Sequence, residues 1–182
     1  MSDVARRRPA ARRRLWPRLG VVTIFAIAMA YMESATVVYL RTIFHITGDL
    51  LTFSPNPHSV WLSLPYFTLL KTDALLKVLP QPRIAATEVA REAATIVMLL
   101  CLGWLAGHSV KTRAAYFIYA FGVWDIAYYG FLYALIGWPT SLKSLDVLFL
   151  IPSPWVAPAL VPTAISAGMI AVAALLLWTD RG

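Results

Sequence analysis

Charged residues and cysteine are both scarce in this chain of 182 residues. Only 14% of the residues are charged and 59% are hydrophobic, whereas a soluble domain carries about 25% charged residues. The chain therefore has too little charge to cover a soluble surface, which excludes a soluble enzyme and a disordered chain. Its single cysteine, Cys101, has no second cysteine to pair with, which excludes a disulfide scaffold.

The sequence also lacks the common signatures of catalysis and cofactor binding. It contains no Glu-x-x-His pair of the kind found in di-iron bundles, no Gly-rich phosphate loop, no Gly-x-Ser-x-Gly elbow and no Cys-x-x-Cys pair. The three histidines lie outside the hydrophobic runs, at His45, His58 and His108. These patterns assign no catalytic residue, metal or cofactor.

Long hydrophobic runs are what the sequence does have. A helix needs about 20 apolar residues to cross a bilayer. Four runs reach that length, at residues 19–40, 88–107, 114–138 and 155–178. The sequence therefore predicts an all-α integral membrane protein, with a basic cytoplasmic tail (1–18) and a single transmembrane domain (19–182) that forms a four-helix transmembrane bundle.

The two longest connections between these runs have patterns that predict secondary structure. Residues 65–79 begin with a proline and have a broad apolar arc, which predicts an outer interfacial helix that lies on the membrane surface. Residues 142–151 are apolar and are followed closely by Pro152 and Pro154, which predicts a short re-entrant segment before the fourth span.

The distribution of lysine and arginine predicts the orientation. Seven of the 16 basic residues fall within the first 18 positions, Lys111 and Arg113 lie between the second and third runs, and Arg181 lies near the end. With four crossings these segments share one side, and the positive-inside rule makes that side cytoplasmic. The tail is expected to contact anionic lipid, and nucleic acid is not expected as a partner.

One alternative concerns the start of the chain. A basic tail, an apolar run and the small residues Ala28 and Ala30 resemble a cleavable signal peptide over residues 1–30. Apolar character resumes at Ala35 and gives a run of spanning length, which favours an uncleaved first span.

Acidic residues inside the predicted spans are the strongest indication of function. Glu33, Glu92 and Asp125 lie on three different spans, about 17–22 Å from the cytoplasmic side at ~1.5 Å per residue. An ionisable side chain in a span is costly and is a functional hypothesis by default. Other polar residues share these helix faces or reach them through the re-entrant segment. We therefore expect a ligand-binding layer made of Glu33, Glu88, Arg91, Glu92, Asp125, Tyr128, Tyr129 and Asp146.

Three interpretations of this layer stay open. It binds a proton, a cation or a small polar ligand in transport or sensing; or it is an enzyme site in which a carboxylate acts as acid or base on a lipid-like substrate; or it is a set of ion pairs that fixes the packing of a structural or assembly subunit. Four spans are few for an independent transporter, so a homo-oligomer or a larger membrane complex is expected. Gly103 and Gly107 would allow close contact with a partner helix.

Four segments together resemble an uncharacterised family of small bacterial multi-pass inner-membrane proteins. They are YMESATVVYLR at 31–41, REAATIVML at 91–99, VWDIAYY at 123–129 and GWPTSLKSLDVLFLIPSPW at 137–155. The resemblance implies a protein of the bacterial inner (cytoplasmic) membrane, and it implies nothing about substrate or activity.

Overall fold

The computed structural model describes residues 3–46, 57–71 and 81–179, with side chains in the first helix described from Leu15 onward. In this part the chain is mostly helical. Three helical segments are long and apolar enough to cross a membrane, which fits a transmembrane protein. They are Leu15–Ile43, Pro82–Ala106 and Leu160–Thr179. The four helices are α1 (Asp3–Ile43), α2 (Pro82–Ala106), α3 (Val110–Ile136) and α4 (Leu160–Thr179).

The helix α3 is central, because it packs against α1, α2 and α4. The hydroxyl groups of Thr23 and Tyr119 lie 2.8 Å apart, and farther along the same pair of helices the Ser34 hydroxyl donates to the Tyr128 carbonyl at 3.1 Å. These contacts follow both helices in the same direction, so α1 and α3 are parallel. A three-residue turn at 107–109 joins α2 to α3 and makes them antiparallel neighbours.

The helices α2 and α3 pack closely at the turn that joins them, an end of the bundle that we call the turn end. A Cβ atom added to Gly103 would lie 2.8 Å from the Arg113 carbonyl oxygen and 2.9 Å from the Phe117 Cβ atom. Gly107 is similarly crowded by Arg113. The two glycines therefore serve the contact between α2 and α3 within the chain, and not the partner-facing surface that the sequence suggested.

The start of α3 is fixed by its cap. The Ser109 side chain accepts the backbone N–H of Thr112, and the Thr112 hydroxyl accepts the backbone N–H of Ser109 at 2.9 Å. This capping box satisfies two of the N–H groups that a helix leaves unpaired at its start. Nearby, the Lys111 ammonium donates to the Thr179 hydroxyl at 3.0 Å, which places the end of α4 beside the start of α3.

The opposite end of the bundle, which we call the sheet end, has a four-stranded antiparallel sheet. A two-residue turn joins the first two strands, with Tyr66 at a positive φ of 65°. The strands are β1 (Val60–Leu64), β2 (Phe67–Leu70), β3 (Leu145–Phe149) and β4 (Trp155–Pro158). Their order in the sheet is β1-β2-β4-β3, so two connections that are far apart in sequence share one sheet.

This sheet corrects the predicted interfacial helix at 65–79. Pro65 and Tyr66 form the hairpin turn and Phe67–Leu70 is a strand. Residues 72–80 lie outside the described part of the chain. The proline was interpreted as a helix start, but it occupies a turn because β2 pairs with β1 on one side and with β4 on the other.

The sheet also corrects the re-entrant helix predicted at 142–151, where Leu145–Phe149 is a strand. The fourth helix begins at Leu160, five residues after the predicted span, because Trp155–Pro158 pairs with β3. A short apolar run does not distinguish a strand from a helix by periodicity. The all-α prediction is therefore confirmed for the mostly helical architecture and corrected for these two connections.

Candidate functional site

One cavity of about 130 Å³ lies between α1, α2 and α3 at the sheet end, and β3 forms its remaining wall. An engineered protein cavity of about 150 Å³ holds a benzene molecule, so the space suits a small organic group. The structure brings all eight residues of the predicted layer to this cavity. They are Glu33, Glu88, Arg91, Glu92, Asp125, Tyr128, Tyr129 and Asp146. We call this space the acidic cavity.

Arg91 links α1 to α2 at the side of the acidic cavity. Its Nε atom donates to Glu88 at 2.8 Å, one helical turn away on α2. Its Nη1 atom forms an ion pair with Glu33 on α1. The (i, i+3) spacing places the first pair on one face of α2, and the second pair depends on how α1 packs. One cation therefore compensates two carboxylates.

Glu92 holds the sheet against α2. Its carboxylate accepts the backbone N–H groups of Leu150 at 2.7 Å and of Ile151 at 3.2 Å. These two residues directly follow β3, so the hydrogen bonds fix the end of that strand to the helix. Hydrogen bonds to a charged acceptor are among the stronger ones in proteins. These hydrogen bonds could not be predicted from the sequence, because the donors are backbone groups of a remote segment.

Asp125 and Tyr129 have different partners from those that helix spacing suggested. The (i, i+4) spacing alone would allow a hydrogen bond between them. Instead, Asp125 accepts the Ser166 hydroxyl of α4 at 2.8 Å. Tyr129 donates to Asp146 at 2.9 Å, because β3 folds over this end of α3.

Asp146 reaches the acidic cavity from β3, although the predicted re-entrant helix was expected to deliver it. The side chain is almost fully buried, and it also accepts the backbone N–H of Val147 at 2.9 Å. Burial raises the pKa of Asp146 to about 7, while the hydrogen bonds from Tyr129 and Val147 and the charge of Arg41 act against that rise. Asp146 therefore exchanges a proton near neutral pH.

Two lining residues with polar or charged groups, Arg41 and Trp124, were not assigned to the site from the sequence. Arg41 is buried, and its guanidinium group lies 4.2 Å from the centre of the Trp138 ring, a cation–π contact. Trp124 is 7% exposed, and its indole N–H has no hydrogen-bond partner among the described residues. The sequence signal for both was weak: Arg41 ends an apolar run, and Trp124 is a tryptophan in mid-helix beside Asp125.

The acidic cavity has more negative than positive groups. Its cations are Arg41 and Arg91, and its carboxylates are Glu33, Glu88, Glu92, Asp125 and Asp146. In surroundings of low dielectric constant, such an excess attracts a positively charged group or a proton much more strongly than it would in water. Among the described residues, no group of three or more His, Cys, Asp or Glu side chains is placed to hold a metal ion.

Comparisons with known proteins find nothing similar to this chain. No family model matches it, no curated protein matches it, and no solved structure matches it. The family resemblance noted from the sequence therefore stays a prediction, and the function has to be argued from the geometry of the acidic cavity.

Proposed function

We propose that this chain is a multi-pass membrane protein whose acidic cavity binds a small cationic ligand, in sensing or transport. The main support is the excess of carboxylates around an enclosed space, five against two guanidinium groups. A cation in that space would be attracted by the carboxylates that Arg41 and Arg91 leave uncompensated.

The proposal includes four crossings of the membrane. The helix α3 has 27 residues, which gives a length of about 40 Å at ~1.5 Å per residue, more than the ~30 Å hydrocarbon core. It lies parallel to α1, which is apolar enough to cross. Its polar groups include Asp125 and the tyrosines, and Asp125, Tyr128 and Tyr129 line the acidic cavity.

The proposed orientation places the turn end in the cytoplasm and the sheet end outside. Arg18, Lys111 and Arg113 lie at the turn end, and the first residues of α1, which are rich in arginine, lead to the same end. The positive-inside rule assigns that side to the cytoplasm. We place the protein in a bacterial inner membrane, with the acidic cavity in the outer half of the bilayer.

The chemistry of the walls favours an organic ammonium group as the ligand. The carboxylates come from α1, α2, α3 and β3, and the aromatic rings of Trp124, Tyr128 and Tyr129 lie among them. Ammonium groups donate hydrogen bonds to several carboxylates at once and are attracted to aromatic faces. A cavity lined by both carboxylates and aromatic rings therefore suits an alkylammonium ion.

Calorimetric titration of the purified protein with methylammonium tests the proposal. We expect saturable binding at one site, at least tenfold weaker after the double change Asp125→Asn and Asp146→Asn. Lys111→Gln is the control, since it removes a charge at the turn end and should leave binding unchanged. Folded protein that shows no saturable binding, or equal binding by the double variant, would overturn the proposal.

A structural layer is the second candidate, and one observation favours it. Each carboxylate of the acidic cavity already has a partner: Arg91 for Glu33 and Glu88, backbone groups for Glu92, and hydroxyl groups for Asp125 and Asp146. Such networks can fix helix packing without binding anything. In that case the double variant would change the free energy of unfolding while wild-type protein bound no methylammonium.

A further inference from the structure

The acidic cavity is closed by side chains alone on the side between α1 and α2. Both helices pack along α3, but they make little contact with each other. In the described part of the chain, the ion pair between Arg91 and Glu33 crosses this gap, which we call the α1–α2 seam. These side chains remain 27% and 14% exposed, so they lie at the boundary between the cavity and the exterior.

The outside of the seam is apolar. Met32, next to Glu33, is 66% exposed, and Met98, two turns along α2 from Arg91, is 44% exposed. Both residues belong to helices that are long and apolar enough to cross a membrane, so hydrocarbon chains would lie against them. The route into the acidic cavity through the seam therefore leads from lipid, not from water.

The wall of the cavity mixes apolar and charged side chains. Val37 and Leu40 on α1 and Val147 and Leu148 on β3 line it together with the carboxylates. Methylene groups of a ligand would therefore find apolar contacts inside the cavity, next to the charged groups.

The cavity also offers a hydrogen-bond donor. The buried indole N–H of Trp124 has no acceptor among the described residues, and an indole nitrogen acts only as a donor. A simple alkylammonium ion would supply no acceptor for this group, whereas a phosphate or ester oxygen would.

We propose that the ligand of the acidic cavity is the headgroup of an aminophospholipid that enters from the membrane through the α1–α2 seam. Its ammonium group lies against Asp125 and Asp146. A phosphate or ester oxygen accepts the indole N–H of Trp124, and the acyl chains stay outside, beside Met32 and Met98. This inference rests on the proposed cation binding and names the class of molecule that provides the cation.

Native mass spectrometry of the purified protein with added lipids tests this inference. We expect phosphatidylethanolamine to bind at least tenfold more tightly than phosphatidylglycerol, which has no amine. The double change Asp125→Asn and Asp146→Asn should reduce that preference to less than threefold. Trp124→Phe should weaken phosphatidylethanolamine binding about fivefold, the effect of one lost hydrogen bond of ~1 kcal/mol, whereas the control Trp16→Phe, at an exposed position of α1, should not.

Soluble phosphoethanolamine separates the two proposals, because it has the same headgroup without acyl chains. Tighter binding of the lipid than of phosphoethanolamine is expected if the ligand enters through the seam. If phosphoethanolamine or methylammonium binds but the lipid does not bind better, the lipid inference is wrong and cation binding stands. Equal binding of the two lipids also overturns the inference. If folded protein binds none of these probes, both proposals are wrong.

Discussion

The helices pack differently at the two ends of the bundle. At the turn end, small residues allow close approach, and Ala26, Ala115 and Ala120 are fully buried in an apolar core. At the sheet end, long charged side chains lie between α1, α2 and α3, and a cavity of about 130 Å³ separates them. A continuous apolar core holds the first end together, whereas ion pairs and hydrogen bonds join smaller apolar clusters at the second.

This difference shows where stability and function can be separated. The polar contacts described at the turn end include the capping box of α3, the Lys111–Thr179 hydrogen bond and the Thr23–Tyr119 pair, and none of them is an ion pair. The sheet end accepts looser packing and buried charge, which are both costly. Such costs are typical of binding sites, so we expect changes at the turn end to affect folding alone and changes at the sheet end to affect folding and binding together.

Removing the charge of Arg91 at the sheet end should have the largest effect on stability. Arg91→Met leaves Glu33 and Glu88 without their counter-ion, and loss of one partner of a buried pair costs 3–5 kcal/mol. Because Arg91 is still 27% exposed, we expect about 3 kcal/mol less free energy of unfolding, measured by SDS titration in micelles. Adding Glu33→Gln and Glu88→Gln should restore most of it. If Arg91→Met unfolds like wild type, the ion pairs do not hold the sheet end.

Overpacking the turn end should have a smaller effect. In Gly103→Ala the new Cβ atom meets the Arg113 carbonyl and Phe117, and we expect a loss of about 2 kcal/mol in the same titration. Gly130→Ala is the matched control, since nothing lies within 4 Å of a Cβ atom there and alanine favours a helix by about 1 kcal/mol. Methylammonium binding by the folded fraction should be unchanged in both. A Gly103→Ala protein as stable as wild type would contradict close packing as the basis of this end.

The same comparison explains how much was predictable from the sequence. Position along a helix sets the level of a side chain in the bundle, so the similar levels of Glu33, Glu92 and Asp125 could be calculated from residue counts. Charge is costly in lipid, and this cost predicted that the acids would face inward, toward one another. Long apolar runs likewise located the helices, since their length leaves little choice of structure.

The partners of these side chains were not predictable, because they depend on the sheet. Tyr129 binds Asp146 and Glu92 binds the backbone after β3 only once β3 has paired with β4. That pairing, and the pairing of β4 with β2, depend on segments far apart in the sequence. Short apolar runs bounded by prolines contain no information on such pairing. Residues 65–79 and 142–151 were therefore interpreted without strands.

Changing the pH should have the smallest effect, and it should act at the sheet end alone. Because burial raises the pKa of Asp146 to about 7, its carboxyl group is mostly protonated at pH 6 and mostly ionised at pH 8. Tyr129 and Asp125 face it from α3 and Arg41 from α1. A cation binds the ionised form better, so its affinity rises with pH through this range.

We therefore expect methylammonium, which keeps its charge as lysine does, to bind about tenfold more weakly at pH 6 than at pH 8. Calorimetric titration at both values measures the ratio. In Asp146→Asn the main titrating group is gone, so the remaining affinity should depend much less on pH, whereas Lys111→Gln should keep the wild-type ratio. An unchanged pH dependence in Asp146→Asn would mean that another group binds the proton, and the role of β3 would then be to close the acidic cavity without contributing its charge.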